Sequence, residues 1–171
     1  PRDPRIPGQE HPKVLSYVDV LLRGAPVGKT VAVVGAGGIG FDVAEFLVHG
    51  ERTKGADGPD LATWMREWGV TDPEVEPGGV TKPRPEPPAR KVYLLQRKKT
   101  RPGAGLAKTT GWIHRAALKM KDVEMIAGAR YDRVDDRGLT VSFGEKGERT
   151  RLLEVDNVVL CTGQEPLREL E

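Results

Sequence analysis

The sequence has one cysteine, few aromatic residues, no strong charge of either sign and no long apolar run. Each shortage removes a class of protein. Cys161 alone excludes an internal disulfide framework and fits a reducing, cytoplasmic setting. His11, His49 and His114 are dispersed and form no metal-ligand spacing with that cysteine, so no metal site is expected. No apolar stretch approaches the roughly 20 residues of a membrane span and no signal peptide opens the chain, so no membrane partner is expected. A net charge of +2 provides no global attraction to nucleic acid. Catalytic constellations are missing as well. Asp42 and Glu45 pair with nothing at a useful spacing, and Cys161 has no neighbouring histidine and reads as a small core residue. The chain therefore reads as a holder of a cofactor, with no catalytic residue of its own.

What is present is a glycine pattern in a particular context. An apolar run at 31–34 leads into Gly35, Gly37 and Gly40, in the order G-x-G-x-x-G. Ile39, Val43, Ala44, Phe46 and Leu47 then recur at helical spacing. Strand, glycine turn and helix in that order point to a dinucleotide site. Gly35 permits the tight turn, and Gly37 lets backbone approach a pyrophosphate with no side chain between. Gly40 lets helix and strand pack closely, and the N–H groups of the new helix face the phosphates.

The rest of the 171 residues fits one domain built around that unit. Residues 1–12 read as a proline-containing extended arm, and the stripe Val14, Leu15, Val18, Leu21, Leu22 predicts a helix over 12–23. The glycine turn's helix should stop near His49 and Gly50. Residues 50–90 form a glycine- and proline-rich insertion with one helical island at 60–70. Asp60 is its N-cap, and its tryptophans are expected to pack it onto the main body. A second strand follows at 91–96, a basic loop at 97–111, a crossover helix at 112–121 and a third strand at 123–128. Three strands separated by turn-rich segments form an antiparallel meander, and a last strand at 157–160 runs into CTGQEP. The predicted fold is α/β: a Rossmann-like parallel sheet flanked by helices, with an antiparallel β-meander in the last crossover.

The end of the second strand selects among dinucleotides. A site for NAD places an acidic residue there to accept from the ribose hydroxyls. This chain has Arg97, Lys98 and Lys99 instead, with Arg101 just beyond. One unit-charge contact at about 4 Å is worth about 1 kcal/mol in water and about 4 at a protein-surface dielectric. Two such contacts, discounted for exposure, favour a 2′-phosphate by tens-fold or more. Arg97 is the strongest single candidate, because a planar guanidinium grips a phosphate with two bonds. The expected cofactor is NADP.

Three blocks carry a family likeness: GAGGIGFDVAEFL, LLQRKKTRPGAGLAKTTGWIHR and VDNVVLCTGQEPLREL. Together they resemble the NADPH-dependent 2,4-dienoyl-CoA reductases of bacteria, flavoproteins related to trimethylamine dehydrogenase and old yellow enzyme. KTTGWIHR is the most specific piece. The resemblance implies that residues 35–40, with Gly38 and Ile39 among them, hold the pyrophosphate and that Arg97 and Lys98 hold the 2′-phosphate. It also implies that Trp112, Ile113 and His114 lie at the cofactor. In such enzymes NADPH reduces FAD, and electrons pass through a 4Fe-4S cluster to FMN, which reduces the unsaturated acyl-CoA of fatty acid β-oxidation. This chain would be the NADP-binding domain, a part inactive alone, with the FAD-binding and FMN-barrel domains of the same parent as partners. Residues 1–28 would link to the FAD domain, 29–163 form the nucleotide domain and 164–171 the return segment. The sequence opens on Pro1 without a methionine, consistent with a segment of a longer chain.

Two other readings stay open. The glycine turn would also serve a pyridine-nucleotide or FAD-binding domain of another flavoprotein oxidoreductase. A non-catalytic Rossmann-like interaction domain would use the arm and the helix at 13–22 as docking surfaces.

Overall fold

A computed structural model describes residues 2–49, 60–145 and 147–166. Pro1, the first ten residues of the expected insertion (50–59), Lys146 of a meander turn and residues 167–171 of the return segment lie outside the described residues. In chain order the main elements are β1 (Val14–Ser16), α1 (Tyr17–Leu21), β2 (Thr30–Val34), α2 (Gly38–His49) and α3 (Leu61–Trp68). Then follow β3 (Lys91–Leu95), α4 (Gly111–Met120), β4 (Glu124–Ile126), β5 (Arg130–Asp135), β6 (Gly138–Phe143), β7 (Arg149–Glu154) and β8 (Asn157–Leu160).

Five strands form a parallel sheet in the order β1-β8-β2-β3-β4, and β5-β6-β7 form a separate antiparallel sheet. The apolar runs are continuous because both faces of the parallel sheet are covered. Val31, Val33, Val92, Leu94 and Val159 point to one face, where Phe41, Val43, Leu47 and Leu118 of α2 and α4 pack on them. Ala32, Val34, Tyr93, Leu95 and Val158 point to the other, beneath Val134, Leu139, Val141 and Leu153 of the meander. Period-two alternation thus divides one sheet between two cores, and the predicted fold class holds. No described helix is long and apolar enough to cross a membrane.

The helix expected over 12–23 is corrected. Val14, Leu15 and Ser16 instead pair in parallel with Val158, Val159 and Leu160 of β8. Without them that edge would present unpaired backbone groups. Helix α1 begins only after Ser16, whose hydroxyl accepts from Asp19 N at 3.1 Å while the Asp19 carboxylate accepts from Ser16 N at 2.9 Å. The expected arm also lies against the body: Ile6 is buried, and Pro7 O accepts from Val134 N at 2.9 Å.

Helix α3 forms where expected, with Asp60 accepting from Thr63 N at 3.0 Å. Its fully buried side chain is not a tryptophan. Trp64 is exposed and stacks on Trp68 at 6.3 Å, while the buried side chain is Glu67. Glu67 Oε1 accepts from Lys121 Nζ at 2.6 Å and from Glu86 N at 3.0 Å, and Lys121 also donates to Glu86 O at 3.0 Å. A two-residue ion pair thus ties the insertion to the end of α4, a connection that hydrophobic periodicity does not register. Burial pulls the Glu67 carboxyl upward, but the bonds from Lys121 and Glu86 outweigh it and hold its pKa below the usual 4.5. The pair's contribution is therefore complete above pH 4.5 and is lost as pH falls through the lower folded value. Lys121→Met leaves a buried carboxylate without its partner, a change worth about 3–5 kcal/mol for a buried pair. Hydrogen exchange is expected to show protection lost across residues 60–86 while β2 and β3 stay protected. The same segment should open first when the unsubstituted protein is taken from pH 5 to pH 3.

Candidate functional site

The glycine turn sits where β2, β3 and β8 end together. Gly35 adopts φ 115°, which favours glycine, and a Cβ there would collide with the carbonyl of Cys161 at the end of β8. Gly35 N donates to Leu95 O of β3 at 2.8 Å. A Cβ on Gly40 would collide with the carbonyl of Gly35, so α2 is packed directly onto the turn. Gly37 and Gly38 differ: a Cβ on either would meet nothing within 4 Å. Packing therefore demands two of the glycines and leaves the other two facing open space. Ile39, between them and Gly40, turns back onto the helix-side core.

That open space is a cleft of about 580 Å³. It lies outside the carboxyl ends of the strands, where β3, reached through α2, flanks β2 on one side and β8, reached through the meander, flanks it on the other. Open α/β sheets bind ligands at such a switch point. Gly35, Gly37 and Gly38 form one wall, Arg97, Lys98 and Arg101 another, and Thr162 and Gly163 close the β8 end. Among the described residues none that lines the cleft is acidic. Among the described residues no carboxylate lies within ion-pair distance of Arg97, Lys98 or Arg101. The first turn of α2 also carries no acid. The N–H groups of that turn and three unpaired cations therefore share one cavity, which suits an anion.

The basic loop is held in shape by neutral bonds. Gln96 Nε2 donates to the carbonyls of Lys98, at 3.1 Å, and Thr100. Gly128 N donates to Lys98 O at 2.9 Å and Ala129 N to Gln96 O at 3.0 Å. Gln96 follows directly on β3, and its amide is spent on the loop. Farther along, Arg115 Nη1 donates to Gly103 O at 3.0 Å and anchors the glycine run that forms the cleft's outer lip.

Among the sequence-predicted residues the structure brings together Gly35, Gly37, Gly38, Arg97 and Lys98, with Gly40 directly behind the turn. It does not bring Trp112, Ile113 or His114 into the lining. Trp112 is 58% exposed, and His114 Nδ1 lies 3.6 Å from Glu45 Oε2 of α2. Burial pushes the Cys161 thiol up to about 12, so it carries no thiolate at neutral pH and fits the core role expected for it. Among the described residues no cluster of His, Cys, Asp or Glu is placed to hold a metal ion. The sequence reading missed Tyr131, Thr162 and Gly163 as lining residues. Thr162 and Gly163 had a signal in CTGQEP; Tyr131 had none, because regular strand alternation would place it on the face away from the cleft.

Among solved structures, a 2-naphthoyl-CoA reductase in complex with 2-naphthoyl-CoA aligns with a TM-score of 0.64 at 16% identity, over 95% of this chain and 18% of that one. The 6-hydroxypseudooxynicotine amine oxidase of Pseudomonas geniculata N1 aligns at 0.66 and 20% identity, over 99% and 20%. An engineered water-forming NADPH oxidase bound to NADPH aligns at 0.55 and 20% identity, over 99% and 30%. At these identities the likeness is one of fold, and the chain spans less than a third of each relative's length. The family model described as pyridine nucleotide-disulphide oxidoreductase matches residues 1–171. The chain belongs to that family of flavoprotein oxidoreductases, which bind FAD and NAD(P).

Proposed function

We propose that this chain is the NADPH-binding domain of a flavoprotein reductase, with the pyrophosphate along residues 35–40 and the 2′-phosphate at Arg97 and Lys98. The observation that carries this reading is the acid-free cleft, with three unpaired cations at one end and two glycines opening onto it. Trp112, Ile113 and His114, on the first turn of α4, would then meet the cofactor only at its rim. Among fold neighbours, a charge change of the same sense accompanies the phosphorylated cofactor. The water-forming NADH oxidase of Lactobacillus brevis is seen with NADH, whereas its variant that loses an aspartate and gains two arginines is seen with NADPH.

The finer reading is a bacterial 2,4-dienoyl-CoA reductase. Its support is the resemblance of KTTGWIHR and its neighbouring blocks, together with a fold shared with a reductase seen with a CoA thioester. In that reading NADPH supplies a hydride to FAD, and the 4Fe-4S cluster, FMN and acyl substrate belong to other domains of the parent. This chain's own residues bind and orient the nucleotide and move no proton. The cytoplasm is the compartment this reading assigns.

Calorimetry at about 0.1 M salt should find NADPH bound at least tenfold more tightly than NADH, with Arg97→Ala removing most of the difference. Equal affinities in the unsubstituted protein would overturn the NADP assignment. Binding of FAD alone would point to a flavin site, and binding of no dinucleotide to an interaction module.

The glycines offer an independent check. Gly37→Ala adds a methyl to open space, so the urea midpoint should hardly move while NADPH affinity falls tenfold or more. Gly40→Ala forces backbone apart and should cost about 1–3 kcal/mol or more of stability whether or not nucleotide is present.

A further inference from the structure

Tyr131 lines the cleft although its sequence position argues against it. In a regular strand, residues three apart face opposite sides, so Tyr131 and the buried Val134 should diverge. Strand β5 is not regular. Tyr131 pairs with Val141 and Arg133 with Thr140, leaving Asp132 as an extra residue, a β-bulge. The bulge carries Tyr131 to the same face as Val134, Leu139 and Val141, over the meander-side core. It is fixed in place by a bond from Ser142 Oγ to Asp132 Oδ1 at 2.8 Å, with Ser142 itself buried.

The location within the cleft is also determined. Ala129 N and Gly128 N bond to the carbonyls of Gln96 and Lys98, so Tyr131 rises beside the basic loop at the end of β3. Its hydroxyl lies within electrostatic reach of the Arg97 guanidinium. Burial pushes the phenol up to about 12 even against that positive charge, so it remains an O–H donor at neutral pH. Among the described residues no hydrogen bond uses the hydroxyl, and it keeps contact with solvent in the cleft, free to donate to what binds there.

We propose that Tyr131 is a specificity-determining residue, its hydroxyl donating to the same 2′-phosphate that Arg97 holds. The inference rests on the NADPH reading above. A neutral donor beside a guanidinium suits a doubly charged oxyanion: it adds a hydrogen bond without repelling Arg97, and a bare ribose hydroxyl would gain far less from it.

The test uses two probes that differ only in the phosphate, 2′,5′-ADP and 5′-AMP, with affinities from calorimetry. Tyr131→Phe keeps the ring and its packing and should weaken 2′,5′-ADP about tenfold, leaving 5′-AMP within twofold. Tyr131→Met, which fills similar space without a hydroxyl, should behave alike if the phenylalanine variant folds poorly. Unchanged 2′,5′-ADP affinity, or an equal loss for both probes, would overturn the role of the hydroxyl and leave the NADPH reading standing. An unsubstituted protein that does not distinguish the probes would remove both.

Discussion

Three stretches of backbone meet at the end of the sheet with no room for a side chain between them. Gly35 lies against the carbonyl of Cys161, and Gly40 lies against the carbonyl of Gly35. This double contact brings the end of β2, the end of β8 and the start of α2 within one backbone's thickness. The first turn of α2 is then aimed across the sheet's end, and the cleft forms in front of it. Any side chain at position 35 or 40 would have to push these elements apart. The glycines at 37 and 38 are under no such demand, and on the NADPH reading their bareness leaves room for the pyrophosphate.

The two-faced sheet supplies the rest of the geometry. Helices cover one face and the meander the other, so β2, β3 and β8 are buried along their length and free only at their ends. Polar and charged groups can therefore gather only where the strands stop. Arg97, Lys98 and Arg101 follow directly from β3, and Gln96 with the 128–129 backbone holds them as a shaped loop. An arginine on a preorganised loop loses less freedom on gripping a phosphate than one on a mobile strand end. The meander reaches the same place through Tyr131, which lines the cleft as well as packing on the meander-side core.

Most of this architecture was legible in the sequence because it is written locally. The run 31–34, the glycine spacing and the helical stripe after it identify β2, the turn and α2, and turn-rich separators identify the meander. The basic strand end was legible for the same reason, being adjacent in sequence to the strand it follows. What escaped depends on partners far along the chain. Val14 and Leu15 become a strand only because β8 needs an edge partner more than 140 residues later. Glu67 and Lys121, 54 residues apart, anchor the insertion through charge rather than apolar periodicity. Tyr131 reaches the cleft through one extra residue, and a reading by alternation places it on the wrong face.

The central claim is that the glycine turn and the basic loop bind one dinucleotide between them. A 1H–15N correlation spectrum recorded during titration with NADP+ tests it most directly. Amide shifts should concentrate at residues 35–39 and 96–101, two segments far apart in sequence, and both sets should follow a single binding curve. Shifts confined to one segment, or lying outside this cleft at saturation, would contradict the account.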